Sequence, residues 1–441
     1  MPLVTPISIA VFLSHPNQHF AASFRALSQL PFINLRVYYH NTRGTTHSAF
    51  DKDFGCSYTW DIPLCEGYSY EVLEPKQSPV NFAFFEIDSP RVAPVLDQFQ
   101  PDIVWIFGYN HRMCIRAMNW AHKHRRAVFF ISDAELIHHR SPFKLFLKKL
   151  IVPKLLKRCT RIITVGDNNE NYYSHYGVSQ IKMARGCYPI DLDTFHRGLA
   201  SYATIRMKIR KELDVGKQDL LFSYCGKLIE RKRPLDIVRA SAIVKNSSLQ
   251  FKLIIIGMGP MNEIIQQEIS NLDLKQTVIQ LGFKNQSEVP SLLMASDVAV
   301  MASESDPHPL SVTESMACGT TAIISDKVGC IGKTDVLQDE NTGLTYPCGN
   351  VQELSKCMLK LIHNRPLLAE LRSKARVMAM SQGKETLIAA IFRSILTLDS
   401  EQYLKSQKCH AIQNIRDWVI KYDKAPCSDT LPLLNPLSAN D

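Results

Sequence analysis

The sequence predicts an α/β protein in which two Rossmann-like, doubly wound domains face each other across a cleft. Three observations support this fold class. The chain has 441 residues, more than a single ordinary hydrophobic core organises. Short apolar segments rich in β-branched residues alternate with helical segments over most of its length. This alternation is interrupted between residues 190 and 205 and then begins again, as expected for a linker between two domains.

The N-terminal domain is predicted for residues 1–195. Apolar runs that are candidates for buried strands alternate with helical segments, which is the pattern of a parallel sheet with crossover helices. The expected strands are ISIAVFL (7–13), LRVYY (35–39), DIVWIF (102–107), AVFFI (127–131) and RIITV (161–165), and the expected helices are 21–30, 113–124 and 169–176.

The C-terminal domain is predicted for residues 196–385 and repeats the same pattern. The expected strands are LLFSYCG (220–226), FKLIIIG (251–257), VIQLG (278–282), DVAVMAS (297–303) and TAIIS (321–325). Residues 386–427 are expected to add helices that pack back on the N-terminal domain. Residues 428–441 are rich in Pro, Ser and Asn and are predicted to form a frayed tail.

The net charge and the spacing of the cysteines exclude some classes of function. The chain carries 51 Lys and Arg against 42 Asp and Glu, a formal net charge of +9 that favours anionic partners. It lacks zinc-finger spacing, an aromatic RNA-binding strand and a long Arg-rich run, so nucleic acid is not an expected partner. The 12 cysteines include no Cys-x-x-Cys pair, and neither a zinc site nor a disulfide framework is expected.

The expected location is the cytoplasm. The first residues lack the basic and apolar regions of a secretory signal, and no apolar stretch reaches the roughly 18 residues that a membrane span needs. The segment 141–158 is amphipathic and basic, with Phe143, Phe146, Leu147, Leu150 and Ile151 on one side of a helical wheel. Two interpretations stay open: a surface helix whose apolar face packs on the domain, or a helix that contacts anionic lipid at the inner face of a membrane.

A basic turn follows the first strand of the C-terminal domain, in YCGKLIERKRPLDIVRA (224–240). Lys227 and Lys232 can both face one anion there, because a strand-end loop and a helix N-terminus provide additional amide donors. A solvated basic turn is the alternative interpretation. The next strand ends in GMGPMNEI (257–264), where Gly257 and Gly259 suit a close approach of the backbone.

Several motifs between residues 220 and 350 occur in a familiar order. They are Gly-Lys-Leu with Arg-Lys, Gly-x-Gly-Pro, Leu-Gly-Phe, Ala-Ser-Asp-Val, Ser-Glu-x-Asp-Pro followed by Glu-Ser-Met-Ala-Cys-Gly, and Asn-x-Gly-Leu. This region resembles the nucleotide-sugar domain of the family-4 glycosyltransferases, which are of the glycosyl transferases group 1 type. The resemblance implies the GT-B fold and retaining transfer of a hexose-type sugar from a nucleotide diphosphate sugar. It also implies that neither a cofactor nor a metal ion is needed.

The resemblance also implies roles for individual residues. Asp306 and Glu314 match the family's two acids separated by seven residues, with Glu314 expected at the donor ribose and Asp306 at the hexose. The backbone amides of Leu310 and Ser311 are expected to meet the diphosphate at a helix N-terminus. Phe283 and Lys284 fall where the family has its base-contacting loop. Lys227 and Lys232 would neutralise the charge that develops on the leaving group.

The C-terminal domain departs from the family pattern at three places. Asp306 is one methylene shorter than the family's usual Glu, which shortens its reach to the hexose. His308 and Pro309 stand where an aromatic residue and Gly are usual, and Pro309 cannot donate a backbone hydrogen bond. Lys227 replaces the commoner Arg, so a point charge takes the place of a planar fork.

The N-terminal domain offers further candidates. Asn17, Gln18 and His19 stand at the first strand–helix junction in place of a Gly-rich loop and are expected to line the cleft. Asp133 follows AVFFI, where many family members have His, and either orients or deprotonates an acceptor hydroxyl or caps the strand end. His111, after DIVWIF, is a candidate cleft residue or a structural histidine. FGCSYTWDIPLCEGYSY (54–70) resembles a segment of a bacterial subset and is a candidate wall of the acceptor pocket.

The function predicted from these residues is transfer of the sugar to a glycan, lipid-linked or small-molecule acceptor, as in polysaccharide biosynthesis. The nucleotide, the sugar, the acceptor, the linkage and the oligomeric state are left open. So are three alternatives: a nucleotide-sugar epimerase, a phosphorylase, and a non-catalytic nucleotide-sugar-binding protein. Asp191 and Asp193 form an Asp-x-Asp in the linker, which is interpreted as a turn rather than a metal site.

Overall fold

A computed structural model gives the structure of residues 5–45, 48–75, 82–138, 141–196, 201–247, 250–398, 403 and 408–424. The expected tail at 428–441 lies outside these described residues. The described chain forms two parallel sheets, each covered by helices and each associated with its own buried apolar clusters. None of the described helices combines the length and the apolar character that crossing a bilayer requires.

The N-terminal domain contains a parallel sheet of seven strands in its described part, in the order β5-β2-β1-β6-β7-β8-β9. A separate antiparallel pair, β3 and β4, stands beside this sheet. The strands are β1 Ile7–Leu13, β2 Ile33–Tyr39, β3 Ala49–Asp51, β4 Cys56–Tyr58, β5 Ser69–Val72, β6 Ile103–Phe107, β7 Ala127–Ile131, β8 Arg161–Thr164 and β9 Met183–Arg185. The helices are α1 Gln18–Ser28, α2 Val92–Phe99, α3 Arg112–Lys123, α4 Pro142–Lys157 and α5 Asp167–His175.

The C-terminal domain contains a six-stranded parallel sheet among the described residues, in the order β12-β11-β10-β13-β14-β15. Its strands are β10 Leu220–Cys225, β11 Phe251–Ile256, β12 Val278–Gly282, β13 Val298–Met301, β14 Thr321–Ser325 and β15 Gly343–Tyr346. The helices from the linker onward are α6 Leu192–His196, α7 Tyr202–Glu212, α8 Pro234–Lys245, α9 Asn262–Asn271, α10 Val289–Ala295, α11 Leu310–Ala317, α12 Val351–His363, α13 Arg365–Met380, α14 Lys384–Leu396 and the last described helix, Cys409–Lys424.

The strands are nearly continuous apolar runs because both faces of each sheet are covered. Strand order reverses direction at β1 in the first sheet, which lies between β2 and β6, and at β10 in the second, which lies between β11 and β13. In doubly wound folds, ligands bind in the crevice that opens beyond the carboxyl ends of the strands at such a reversal. The loops after β10 and β13 therefore define the place where a site is expected.

A buried carboxylate holds the base of the C-terminal domain together. Asp297 lies just before β13. Its carboxylate forms ion pairs with the guanidinium groups of Arg206 at 2.5 Å, Arg210 at 3.1 Å and Arg372 at 3.3 Å. It also accepts a hydrogen bond of 2.8 Å from the Leu221 N–H. Burial alone would raise the pKa of Asp297, but the three arginines hold it below its ordinary value. The cluster joins α7 and α13 to the sheet.

The described helices of residues 386–427 lie in the core of the N-terminal domain. Leu387, Ile391 and Phe392 of α14 and Ile415 of the last helix belong to the apolar cluster that contains β1 and β6. The chain thus crosses between the domains twice, near Ile190 and near Gln382. The two crossings are bonded to each other, because the Ile190 N–H donates to the Gln382 carbonyl at 2.9 Å.

Candidate active site

A cavity of about 390 Å³ lies between the domains at the carboxyl ends of β10 and β13. Both domains contribute to its wall. The N-terminal domain supplies Gln18, His19, Phe54, Trp60, Asp133 and Tyr188. The C-terminal domain supplies Cys225, Gly226, Lys227, Arg231, Lys232, Ile256, Gly257, Phe283, Lys284, Gln286, Val289, Asp306, His308, Pro309, Leu310, Ser311 and Glu314. The structure therefore brings most of the candidate residues to one place, and it leaves Asn17, His111 and Gly259 outside this lining.

Lys232 and Asp306 form a buried ion pair on the C-terminal wall, with side-chain exposures of 12% and 11%. Lys232 ends a 3-10 turn, Glu230–Lys232, after which Arg233 adopts a left-handed conformation and Pro234 begins α8. The fixed φ of Pro suits a first helical position, so this turn is locally determined. Burial lowers the pKa of Lys232, and the charge of Asp306 opposes that shift. The shorter acid is thus held beside a cation that also faces the cavity.

Lys227 contacts acids from the other domain. Its Nζ lies 3.0 Å from both carboxylate oxygens of Asp51 and 3.4 Å from Asp53. The same ammonium lies 4.8 Å from the centre of the Phe54 ring, within the range of a cation–π contact. These three partners belong to residues 49–61, which contain β3 and β4 and are called here the acidic hairpin. Neither Asp51 nor Asp53 was a candidate from the sequence.

The acidic hairpin also reaches the loop after β12. Asn285 Nδ2 donates to the Thr59 carbonyl at 2.8 Å, and the Ser287 N–H donates to Asp61 at 3.3 Å. The rings of Phe54 and Phe283 meet edge to face with centroids 5.4 Å apart. The segment that was a candidate acceptor wall therefore lies on the side of the cavity formed by Phe283 and Lys284. The three acids and three aromatic residues gathered in 51–61 were the signal in the sequence that could have indicated this.

Glu314 lies on α11 and faces the cavity with 6% exposure. Burial raises its pKa to about 7. A carboxylate at this position can accept hydrogen bonds from two neighbouring hydroxyls. Leu310 and Ser311 begin the same helix after Pro309, and the first amides of a helix have no partner within it. The start of α11 can therefore bind an anion beside Glu314.

Gly257 is required by the close approach of two loops. Its φ is +137°, and a Cβ there would lie 1.9 Å from the Gly226 carbonyl oxygen. Gly259 does not line the cavity. A Cβ at this position would come within 2.4 Å of the Leu228 carbonyl oxygen. Both glycines therefore act by letting the backbone after β11 pack against the loop that carries Lys227 and Lys232.

Asp133, His19, Tyr188 and His308 form the part of the cavity nearest the N-terminal domain. Burial raises the pKa of Asp133 and lowers that of His19 to about 3, because it disfavours the charged form of each group. His308 is 8% exposed, and its Nε2 has no hydrogen-bond partner among the described residues. A buried polar atom without a partner indicates a place for a ligand or water. His308 stood in the sequence as a departure from the family and was not a candidate site residue.

The other polar groups of the Asp133 loop are occupied elsewhere. Ser132 Oγ lies 2.8 Å from the Tyr173 hydroxyl. The carboxylate of Glu135 accepts from the backbone of Ile137 and His138 and contacts the His138 ring. His138 in turn lies 3.1 Å from the Lys327 carbonyl of the C-terminal domain. Among these acids, Asp133 is the one that faces the cavity.

Two residues expected in the cleft, Asn17 and His111, do not line the cavity. Asn17 is the N-cap of α1, and its Oδ1 accepts from the His19 and Phe20 N–H groups at 3.2 Å each. An Asn at this position satisfies helix amides, so its side chain is turned toward the helix. His111 precedes α3, and burial lowers its pKa to about 4. Gln18, next to Asn17, lines the cavity.

The described residues contain no group of three or more His, Cys, Asp or Glu side chains placed to hold a metal ion. Asp191, of the Asp-x-Asp in the linker, lies 3.7 Å from Arg25, and Asp193 forms an ion pair with Lys384. The two acids thus face different cations at the crossing between the domains.

Comparison with known proteins agrees with this geometry. Residues 205–378 match the family described as glycosyl transferases group 1. The chain is 27% identical over 188 residues to N-acetyl-alpha-D-glucosaminyl L-malate synthase of Bacillus anthracis, a match that covers 43% of this chain and about half (48%) of that protein. It is 21% identical over 332 residues to N-acetylgalactosamine-N,N'-diacetylbacillosaminyl-diphospho-undecaprenol 4-alpha-N-acetylgalactosaminyltransferase of Campylobacter jejuni, covering 74% and 85% of the two chains.

The fold is shared with solved structures. Anabaena HepE in complex with UDP superposes with a TM-score of 0.66 at 16% identity, and the match covers 89% of this chain and 100% of that one. The two sheets and the cavity between them define a GT-B protein, which confirms the predicted fold class. Residues 205–378 match glycosyl transferases group 1, and the curated relatives named above are glycosyltransferases or sugar-transfer enzymes.

Proposed function

We propose that this glycosyltransferase retains the anomeric configuration and moves a hexose-type sugar from a nucleotide diphosphate sugar to an acceptor hydroxyl, without a metal ion or cofactor. One observation carries the proposal. Lys227, Lys232, Glu314 and the N-terminus of α11 converge on a single cavity between two domains. Cations, helix-end amides and a carboxylate that can accept from hydroxyls are the groups that a nucleotide diphosphate requires.

The donor fits the cavity in one direction. Its diphosphate lies against Lys227, Lys232 and the Leu310 and Ser311 amides, and its ribose lies at Glu314. The base then points toward Phe283 and Lys284, and the sugar points toward Asp306 and His308. This order is the one that the family resemblance implies for Glu314, Asp306, Phe283 and Lys284, all of which line the cavity.

The reaction breaks the bond between the anomeric carbon and the diphosphate and forms a bond from that carbon to the acceptor oxygen on the same face. The acceptor proton passes to the departing phosphate oxygen or to Asp133. Negative charge grows on the leaving diphosphate, and Lys227, Lys232 and the α11 amides are already placed to stabilise it. Burial raises the pKa of Asp133, which makes its carboxylate a stronger base and suits it to accept the acceptor proton.

The proposed acceptor is a glycan or a lipid-linked sugar, handled in the cytoplasm or at the inner face of a membrane. The name of the Campylobacter jejuni relative includes a diphospho-undecaprenol acceptor. The same reaction could also use a small molecule with a free hydroxyl as its acceptor.

The test is a binding and product experiment. Thermal shifts against UDP, GDP, ADP and their sugars identify the donor, because a ligand that binds the folded state raises its stability. Incubation of that donor with acceptors, followed by NMR of the anomeric proton, then measures transfer and configuration. Inversion at the anomeric centre contradicts retention, and loss of transfer on chelation, restored by a divalent cation, contradicts metal independence.

Three other outcomes would replace the proposal. Isomerised donor sugar without an acceptor indicates an epimerase. Release of sugar phosphate that depends on inorganic phosphate indicates a phosphorylase. Tight nucleotide binding without transfer to any acceptor indicates a non-catalytic binding protein.

A further inference from the structure

Helix α4 carries large apolar side chains on its outer side. Phe143 is 70% exposed, Phe146 59% and Ile151 51%. The interpretation that this apolar face packs on the domain is therefore wrong. The side chains of α4 that are buried are Val152 and Leu156.

The five exposed apolar residues named below lie opposite Val152 and Leu156, although Leu145, on the side of these two, is also 39% exposed. At about 100° per residue, Phe143, Phe146, Leu147, Leu150 and Ile151 fall in one sector, called here the outer face of α4. Val152 and Leu156 fall in the opposite sector. The outer face is thus a continuous apolar stripe that points away from the N-terminal domain.

Lysines lie on both sides of this stripe, at Lys144 and Lys149, and continue it toward the C-terminal end of α4, at Lys154 and Lys157. Lys144, Lys149, Lys154 and Lys157 are all exposed. A helix with apolar residues on one face and lysines beside them suits the boundary between phospholipid headgroups and acyl chains. Each basic residue near an anionic bilayer adds electrostatic attraction. A second copy of the same face would bring lysines against lysines, which is unfavourable.

We propose that the outer face of α4 docks this protein on an anionic phospholipid surface. The apolar stripe enters the interface while the bordering lysines contact lipid phosphates. Helix α4 begins in the same loop that carries Asp133 after β7. A docked protein would therefore present the Asp133 side of its cavity to acceptors anchored in that membrane, and this second point rests on the proposed function.

Vesicle flotation tests the docking. The full chain is mixed with vesicles of phosphatidylcholine, or of phosphatidylcholine with phosphatidylglycerol. We expect flotation with the anionic vesicles, at least tenfold weaker for Phe143→Ser/Phe146→Ser and for Lys144→Glu/Lys149→Glu. Ile181→Ser and Lys208→Glu are matched controls, because Ile181 is 81% exposed and the Lys208 side chain 73% exposed at other sites. Both controls should float like the unmodified chain.

Each other result overturns the docking. Failure to float with anionic vesicles, equal flotation with both kinds of vesicle, or flotation unchanged in the double variants would each do so. A dimer that Phe143→Ser/Phe146→Ser dissociates, without flotation, would assign the face to a second copy instead. Nucleotide binding by the same variants separates the two proposals: flotation can be lost while nucleotide binding and transfer to a soluble acceptor remain.

A second observation concerns the aromatic part of the cavity. Phe54 and Trp60 of the acidic hairpin line the cavity together with Phe283. Phe54 contacts Phe283 edge to face, and Tyr58 lies between them and Trp60, with ring centroids 5.0 Å from Trp60 and 6.4 Å from Phe283. Planar aromatic walls next to the cation Lys227 suit a planar base attached to a diphosphate.

We infer that Phe54 and Trp60 pack against the nucleobase of the donor, a role that rests on the proposed function. The N-terminal domain would then read the base while the C-terminal domain binds the phosphates. Asn285 and Ser287, bonded to Thr59 and Asp61, hold the hairpin in this place. Binding of the base would therefore depend on the contact between the two domains.

Calorimetry with UDP, GDP, ADP and inorganic pyrophosphate tests this role. We expect Phe54→Ala and Trp60→Ala to weaken binding of the preferred nucleotide at least tenfold and to leave pyrophosphate binding within twofold. Trp60→Phe should restore most of the affinity. Phe85→Ala, at a site 73% exposed elsewhere in the N-terminal domain, is the control.

Unchanged nucleotide affinity in both alanine variants would overturn the inference while the proposed function stands. Equal losses for pyrophosphate and nucleotide would also overturn it, because they would indicate a merely structural hairpin. Failure of the unmodified chain to bind any nucleotide would overturn both.

Discussion

The Lys227 ammonium lies 3.0 Å from both carboxylate oxygens of Asp51, although the two residues belong to different domains. Burial opposes ionisation of Asp51, but its hydrogen bonds and charge interaction with Lys227 outweigh this and hold its pKa below the ordinary value. A cation that faces the phosphate side of the cavity is thus already neutralised in part by the acidic hairpin.

Asp51→Asn should strengthen nucleotide diphosphate binding about threefold to tenfold. The substitution removes an anion that shares Lys227 with the phosphates, and an opposite charge at this distance is worth about 1 kcal/mol or more near a protein surface. Calorimetry measures the change. Asp273→Asn is the control, because it removes the same charge from a side chain that is 96% exposed and outside the cavity lining. Weaker or unchanged binding by Asp51→Asn would refute the competition.

Lys232→Ala should lose about 3 kcal/mol of transition-state stabilisation, roughly a hundredfold in turnover, because it removes a preorganised charge at the leaving group. It also leaves Asp306 buried without its cation. Steady-state transfer rates measure the effect, with Lys252→Ala as a control distant from the cavity. Turnover within threefold of the unmodified chain would exclude the assigned role.

Glu314 should make donor affinity depend on pH. Its pKa is raised to about 7 by burial, so the ionised form that accepts best from ribose hydroxyls gains population as pH rises through 7. Nucleotide affinity should therefore increase between pH 6 and pH 8 more steeply than in Glu314→Gln, which shares every other titrating group. Parallel pH profiles in the two proteins would contradict the role.

Glu314 should also make folding stability depend on pH, with stability falling as the pH rises. The folded-state pKa of Glu314 lies above its ordinary value of 4.5. The unfolded chain therefore loses this proton at lower pH than the folded chain does. The stability contributed by the protonated carboxyl is fully present below about 4.5 and is lost as pH rises through about 7. Denaturant unfolding of Glu314→Gln should lack this decline, and an identical decline in both proteins would contradict the raised pKa.

Asp133→Asn should lower transfer about a hundredfold while donor affinity stays within twofold, because positioned proton transfer contributes on this scale. Ser132→Ala, which removes a polar group from the same loop but outside the cavity, serves as the control. If Asp133 instead caps the strand end, the variant will lower the melting temperature and leave the rate of the folded enzyme unchanged.

Asp297→Ala should destabilise the C-terminal domain by about 3–5 kcal/mol, because three arginines would lose a buried partner. Denaturant unfolding measures this loss, and exposed Asp214→Ala supplies the comparison. A change below about 1 kcal/mol would show that the arginines find other partners.

The strands and the motif residues of the C-terminal domain were predictable because they depend on local pattern. Lys232 and Asp306, which are distant in sequence, meet because each follows a neighbouring parallel strand. The acidic hairpin was not predictable, since its contacts with Lys227 and Phe283 depend on how the two domains are placed. The apolar side of α4 was visible in the sequence, but its outward direction is decided by which residues pack on the sheet. Asn17 was wrongly expected to line the cleft. A residue just before a helix can either cap the helix or face the cleft, and the sequence does not distinguish the two.

The paired crossings at Ile190 and Gln382 have a mechanical consequence. Because the two segments are hydrogen-bonded to each other, any opening of the cavity has to move both of them together. Because the chain returns to its starting domain, shortening its far end would strip a covering layer from the sheet that carries Asp133. Loss of the C-terminal helices would therefore disturb the proposed acceptor side of the cavity before the donor side.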